Sequence, residues 1–82
     1  MESDLYTRIS QRLYELRHEK GWTQEELANK LNIDKRKVAR WETGGSLPEI
    51  ELFIKLSNLY KTSIDYLACK TNKKTIFKLF QR

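Results

Sequence analysis

The sequence contains one cysteine, one proline, one histidine and three glycines, and each scarcity removes a class of protein. A lone Cys69 cannot close an intramolecular disulfide, which excludes a disulfide-stapled secreted scaffold and makes a reducing, cytoplasmic setting the expectation. With His18 and Cys69 alone of their kind and no ligands clustered around them, a metal site has almost no raw material, and no cofactor is expected. Gly21, Gly44 and Gly45 do not fall in a phosphate-cradling pattern, so a nucleotide-binding loop is not expected either. Apolar runs of about eighteen residues are missing, and the N-terminus MESDLYTRIS lacks the basic start and apolar stretch of a signal peptide. No membrane segment is expected. β-Branched residues nowhere alternate with polar ones over about four positions, so no sheet is expected.

What is present fits one small domain: 82 residues, 39% hydrophobic and 33% charged, well below the length at which chains divide. The formal net charge is +5, which favours a polyanionic partner without specifying a fold. Its distribution is uneven. Residues 1–69 hold eleven basic and eleven acidic side chains, and the excess belongs to Lys70, Lys73, Lys74, Lys78 and Arg82.

The spacing of apolar residues predicts helices throughout. Leu5, Ile9, Leu13 and Leu16 recur with the period of one helical face, with Ser3 as a cap and Gly21 as the stop. Thr23 and Glu26 have the spacing of a capping box, which starts a second helix at about 24–31 with Leu27, Ala28 and Leu31 inward. Asn32 tolerates a left-handed backbone, and Asp34 caps a third helix at about 35–43, striped by Val38 and Trp41 and ended by Gly44 and Gly45. After Pro48, Ile50, Phe53, Leu56 and Leu59 repeat at three and predict a fourth helix over 49–60, with Glu49 and Glu51 in its first turn. Ser63 opens a fifth, carrying Ile64 and Leu67. The expectation is an all-α, compact five-helix domain over 3–69, followed by a short basic and apolar tail over 70–82.

The second and third helices are joined by about three residues, as in a helix-turn-helix whose elements cross at about 90 to 120°. Such a crossing needs a small inner residue (Ala28), a tight turn (Asn32) and an apolar plug on the following helix (Val38, with Ile33 below it). On that third helix, steps of about 100° turn Lys35, Arg36, Ala39 and Arg40 away from Val38 and Trp41, while Lys37 lies nearer the side. Arginine and lysine at the start of a helix that enters the major groove bond guanine O6 and N7, and an alanine can meet a thymine methyl.

The stretch LRHEKGWTQEELANKLNIDKRKVARWETGGSLPEIELFIKLSNLYKTSIDYL resembles the lambda-repressor-like, Cro-type (XRE-family) helix-turn-helix DNA-binding domains, and the likeness covers roughly residues 5 to 68. It implies a recognition helix in the major groove of double-stranded DNA and homodimers on palindromic operators. On matching positions it implies base contacts from Lys35, Arg36, Ala39 and Arg40. Phosphate contacts are expected from Thr23, Gln24, Lys37, Thr43, Gly45 and Ser46. Arg17 and Glu42 match positions that pair as an ion bridge between the first helix and the end of the recognition helix. Two positions depart from the pattern: Asn32 stands for the turn glycine, and Asp34 for the usual Ser or Thr cap. An aspartate cannot donate to a phosphate, so Asp34 is not counted as a contact.

Other features read more plainly. His18 beside Glu19 and Lys20 is a surface side chain, Trp22 and Trp41 are packing residues, and Cys69 has no resolving partner. Glu25 and Glu26 diverge by about 100° on a helix, which suits no acid–base pair. Catalysis and a small-molecule substrate are therefore not expected. In the tail, Ile76, Phe77, Leu79 and Phe80 form a one-sided stripe, and three readings compete: folding back on the core, a dimer contact, or a loosely ordered segment lying on DNA phosphates or another protein. As a rival class, an antitoxin-type module would grip a small protein partner through this tail. Its apolar face is too short for stable membrane binding.

Overall fold

Five helices follow one another along the computed structural model, which describes residues 2–73: α1 (Glu2–Lys20), α2 (Gln24–Leu31), α3 (Lys35–Glu42), α4 (Ile50–Tyr60) and α5 (Ile64–Leu67), with no strand among the described residues. The stripe Ile76, Phe77, Leu79 and Phe80 lies outside the described residues. α1 begins at Glu2, ahead of the start expected at Ser3.

All five helices end in the same way. Gly21 (φ 74°), Asn32 (φ 59°), Gly44 (φ 85°), Lys61 (φ 56°) and Cys69 (φ 64°) each take the left-handed conformation, and in each case the next residue's N–H reaches back across the last turn: Trp22 to Arg17, Ile33 to Ala28, Gly45 to Arg40, Thr62 to Ser57 and Lys70 to Asp65. This closure satisfies carbonyls that a helix end leaves open. At Lys61 it is held against the steric cost of a side chain in that region. The turn between α2 and α3 is therefore fixed by its own backbone bonds, and α3 leaves α2 in one direction only.

Ile9, Leu13 and Leu16 of α1, Leu27, Ala28 and Leu31 of α2, Val38 and Trp41 of α3, Leu52, Leu56 and Tyr60 of α4 and Leu67 of α5 form a single core. Ala28, 1% exposed, is the small residue that the α2–α3 crossing requires. The buried face of α4 differs from the expectation. Leu52, Leu56 and Tyr60 are buried and Ile50 is 69% exposed, whereas Phe53 and Leu59 only flank the core. A strict spacing of three slips about 60° per step on a 3.6-residue turn, so a run of four such residues winds off one face. The spacing of four stays on it.

Arg12 closes the fold around α5. Its Nη1 donates to the carbonyls of Tyr66 (2.9 Å) and Thr71 (3.0 Å), its Nη2 donates to Asn72 Oδ1 (3.1 Å), and the guanidinium lies 4.0 Å from the Tyr66 ring centre. Arg12→Ala is expected to remove about 1 to 2 kcal/mol of local stability from residues 69–73, a rise of roughly 5- to 30-fold in their open population. Tryptic cleavage at Lys70 and Lys73, mapped by mass, should accelerate by that factor while the far-UV circular dichroism is unchanged. Unchanged cleavage at both lysines would show that Arg12 does not anchor the segment.

Candidate nucleic-acid interface

α3 divides cleanly into two faces. Val38 and Trp41 are 0% and 3% exposed, Lys35, Arg36, Lys37 and Arg40 are exposed, and Ala39 is half-buried. An eight-residue helix with two buried anchors cannot roll, so its four cations project on the side away from the core. No acidic residue stands in its first turn. The acid nearest its start is the N-cap Asp34, whose Oδ1 accepts the Arg36 N–H at 2.8 Å.

The same carboxylate receives the Arg36 guanidinium, with Nε on Oδ1 at 3.2 Å and Nη2 on Oδ2 at 3.0 Å. These bonds hold the Asp34 carboxyl down at about 2, so the cap stays ionised across the ordinary pH range. Lys37 Nζ approaches Glu49 at 4.0 Å, a solvated pair. The Arg40 backbone carbonyl accepts the Thr43 hydroxyl (3.2 Å) and the Gly45 N–H (3.0 Å). Gly45 therefore has its N–H committed within the protein. Its lack of a side chain matters more: a Cβ there would stand 3.1 Å from Arg40 Cγ, tight enough that the arginine would have to give by a few tenths of an ångström. Lys37, Arg40, Ser46 and Glu49 line a shallow cleft between α3 and the loop before α4.

The angle of α3 is set from behind by Arg17 and Glu42. Arg17 Nε donates to Glu42 Oε2 at 2.7 Å and its Nη2 to Oε1 at 2.9 Å, while Nη1 donates to the Trp22 carbonyl at 2.7 Å. The two side chains are 8% and 3% exposed. Hydrogen bonding to Glu42 raises the Arg17 guanidinium above its ordinary range, against the opposing effect of burial. Gln24 Nε2 also donates to Glu42 Oε1, at 3.0 Å. One carboxylate thus ties together the end of α1, the start of α2 and the end of α3. Gln24, expected at phosphate, has one amide hydrogen turned inward to this cluster. Burial, with the nearby Glu42 charge adding to it, pushes the Tyr60 phenol well up, and the Tyr60 ring stacks on Trp22 with centres 5.9 Å apart.

The capping box at α2 is complete: Thr23 Oγ1 accepts the Glu26 N–H at 3.0 Å, and Glu26 Oε1 accepts the Thr23 N–H at 2.8 Å. Thr23 accordingly stands at the amino end of α2, beside the Arg17, Gln24 and Lys35 side chains that line one surface depression with it. Two partners here go beyond what the sequence predicts: the Asp34 cap also pairs with Arg36, for which the two-residue separation is a signal, and Gln24 bonds Glu42, for which the spacing gives none. Among the described residues no group of His, Cys, Asp and Glu could hold a metal ion, and no helix is long and apolar enough to cross a membrane.

A family model described as helix-turn-helix matches residues 13–67. The HTH-type transcriptional regulator ImmR of Bacillus subtilis (strain 168) is 42% identical over 62 residues, covering 76% of this chain and 49% of its own length. The uncharacterized HTH-type transcriptional regulator YqaE of the same organism is 30% identical over 69 residues, covering 84% of this chain and 60% of its own length. The HTH-type transcriptional activator BcrR of Enterococcus faecalis is 33% identical over 59 residues, covering 72% of this chain and 29% of its own length. The chain spans about half the length of ImmR and less than a third of that of BcrR.

Proposed function

The chain belongs to the XRE-type helix-turn-helix family, and from that premise we propose that it is a sequence-specific double-stranded-DNA-binding regulator of transcription. In this reading it is a cytoplasmic repressor that occupies a palindromic operator as a homodimer, with α3 in the major groove. The observation that supports it most is the segregation of α3: Lys35, Arg36, Lys37 and Arg40 exposed on one side, Val38 and Trp41 buried on the other. A net-neutral body gains a cationic reading surface in this way without any excess of charge.

Two such helices would enter successive major grooves about 34 to 36 Å apart, on half-sites about one helical turn apart. Binding-site selection from a random duplex pool tests this directly. An enriched palindrome of that spacing, with a dimer in sedimentation, is the expected result, and enrichment of no motif would overturn the reading. Within it, Arg40→Ala is expected to cost about 1 to 3 kcal/mol and relax preference at one position. Lys37→Ala should weaken all duplexes alike and lower the slope of log K against log salt by about 1. The reverse pattern would exchange the roles of the two residues.

A further inference from the structure

The bond between Asp34 and Arg36 leaves a specific part of the guanidinium unused. An arginine carries five N–H donors in a rigid plane. Asp34 takes the edge formed by Nε and Nη2, in the two-pronged geometry that orients a guanidinium as well as attracting it. The adjoining edge, Nη1 with the second Nη2 hydrogen, is a second parallel pair of donors with the spacing that guanine O6 and N7 accept. The pair is open to solvent, the Arg36 and Asp34 side chains being 84% and 51% exposed, and it stands at the start of α3, where the first residues of a recognition helix reach base edges. The Asp34 carboxylate is itself fixed, because its Oδ1 also caps the helix through the Arg36 N–H.

We propose that Asp34 is a positioning residue for base reading, which holds the Arg36 guanidinium so that its Nη1–Nη2 edge is presented to a guanine at one operator position. The inference rests on the reading of α3 as the recognition helix. An arginine already held in one orientation loses less freedom on binding than a loose one. Asp34 has an opposite effect on the phosphates, which its charge repels. Affinity and selectivity therefore separate at this residue: removal of the charge strengthens contact with any duplex and weakens the choice of base.

The test is selection from a random duplex pool with the wild-type chain, Asp34→Asn, Arg36→Ala and the double variant, followed by titration of duplexes that differ at single positions. Asparagine caps a helix about as well as aspartate, so α3 is retained, as circular dichroism will show. Arg36→Ala is expected to lose about 5- to 150-fold of discrimination at one guanine. Asp34→Asn should lose roughly two- to fivefold at the same guanine, with the double variant no worse than Arg36→Ala. It should also bind unrelated duplexes more tightly than the wild type. An Asp34→Asn protein with unchanged preference at that guanine, or with altered preference at another position, overturns the proposal, as does an Arg36→Ala protein with the wild-type motif. Failure of the wild type to enrich any motif would instead remove the base-reading function, and this inference with it.

Discussion

Glu42→Ala is expected to lower the free energy of unfolding by about 3 to 5 kcal/mol, measured by urea melts followed by circular dichroism. The size follows from burial. With Glu42 removed, Arg17 keeps a single acceptor, the Trp22 carbonyl, and its charge remains out of water at 8% exposure. Arg17→Ala is the mirror case, leaving the Glu42 carboxylate with Gln24 Nε2. A domain of ordinary stability, roughly 5 to 15 kcal/mol, loses a large fraction of it either way. Solvated pairs offer the contrast: Arg8 and Asp4 stand 4.0 Å apart with 54% and 74% exposure, and such pairs are worth about 0 to 1 kcal/mol. Because the Arg17–Glu42 bond is shielded, its loss should differ little between low and high salt. A loss below about 1 kcal/mol would mean that the pair behaves as a surface bridge.

Local signals were legible in the sequence; of the long-range ones only the Arg17–Glu42 pair was, and that through the family resemblance and not through spacing. The capping box of Thr23 and Glu26, the stop at Gly21 and the turn at Asn32 lie within a few residues of the backbone groups they satisfy, so their spacing carries the information. The two faces of α3 were legible for the same reason, Val38 and Trp41 being one turn apart. The buried face of α4 differs from the one its apolar spacing predicts, because a spacing of three and a spacing of four both look helical while the second holds closer to one face over the two turns from Leu52 to Tyr60. Arg12 went unrecognised because its partners Tyr66, Thr71 and Asn72 lie more than fifty positions away, and no local pattern encodes such a pairing. The left-handed Lys61 gave no warning either: its conformation is imposed by the closure of α4 through Thr62 and Ser57, not by an intrinsic preference of lysine.

The charge also takes on a different meaning once it is placed. A count of +5 suggested general attraction to a polyanion, yet the excess lies beyond residue 69, and the interface owes its character to geometry. Acidic side chains at Glu25, Glu26 and Glu51 sit in the first turns of α2 and α4, where they complement the helix dipole. α3 alone among these three helices has no acid in its first turn. The exception lets its cations face outward together, with Asp34 beside Arg36 and Glu49 near Lys37 as the neighbouring carboxylates.

Trp41→Ala carries the other large effect. Trp41 is 3% exposed on the inner face of the same helix, and truncation of a buried tryptophan costs about 3 to 5 kcal/mol in lost burial and cavity formation. In urea that leaves the wild type folded, the variant should therefore be partly unfolded, read by circular dichroism. Its effect on DNA binding has a form that distinguishes it from any change on the outer face. A buried Trp41 is expected to set how many molecules are folded and to contact no base, so the variant's apparent dissociation constant for every duplex should rise by one common factor, the reciprocal of the folded fraction. Saturating DNA should restore the fold, because a ligand that binds the native state alone stabilises it by mass action. Arg40→Ala should do the opposite, leaving the folded fraction intact and changing the preference at one position. A Trp41→Ala protein that loses more affinity than its folded fraction explains, or loses it for some sequences and not others, would show that this side of α3 takes part in reading. The division of α3 into an anchoring face and a reading face would then fail.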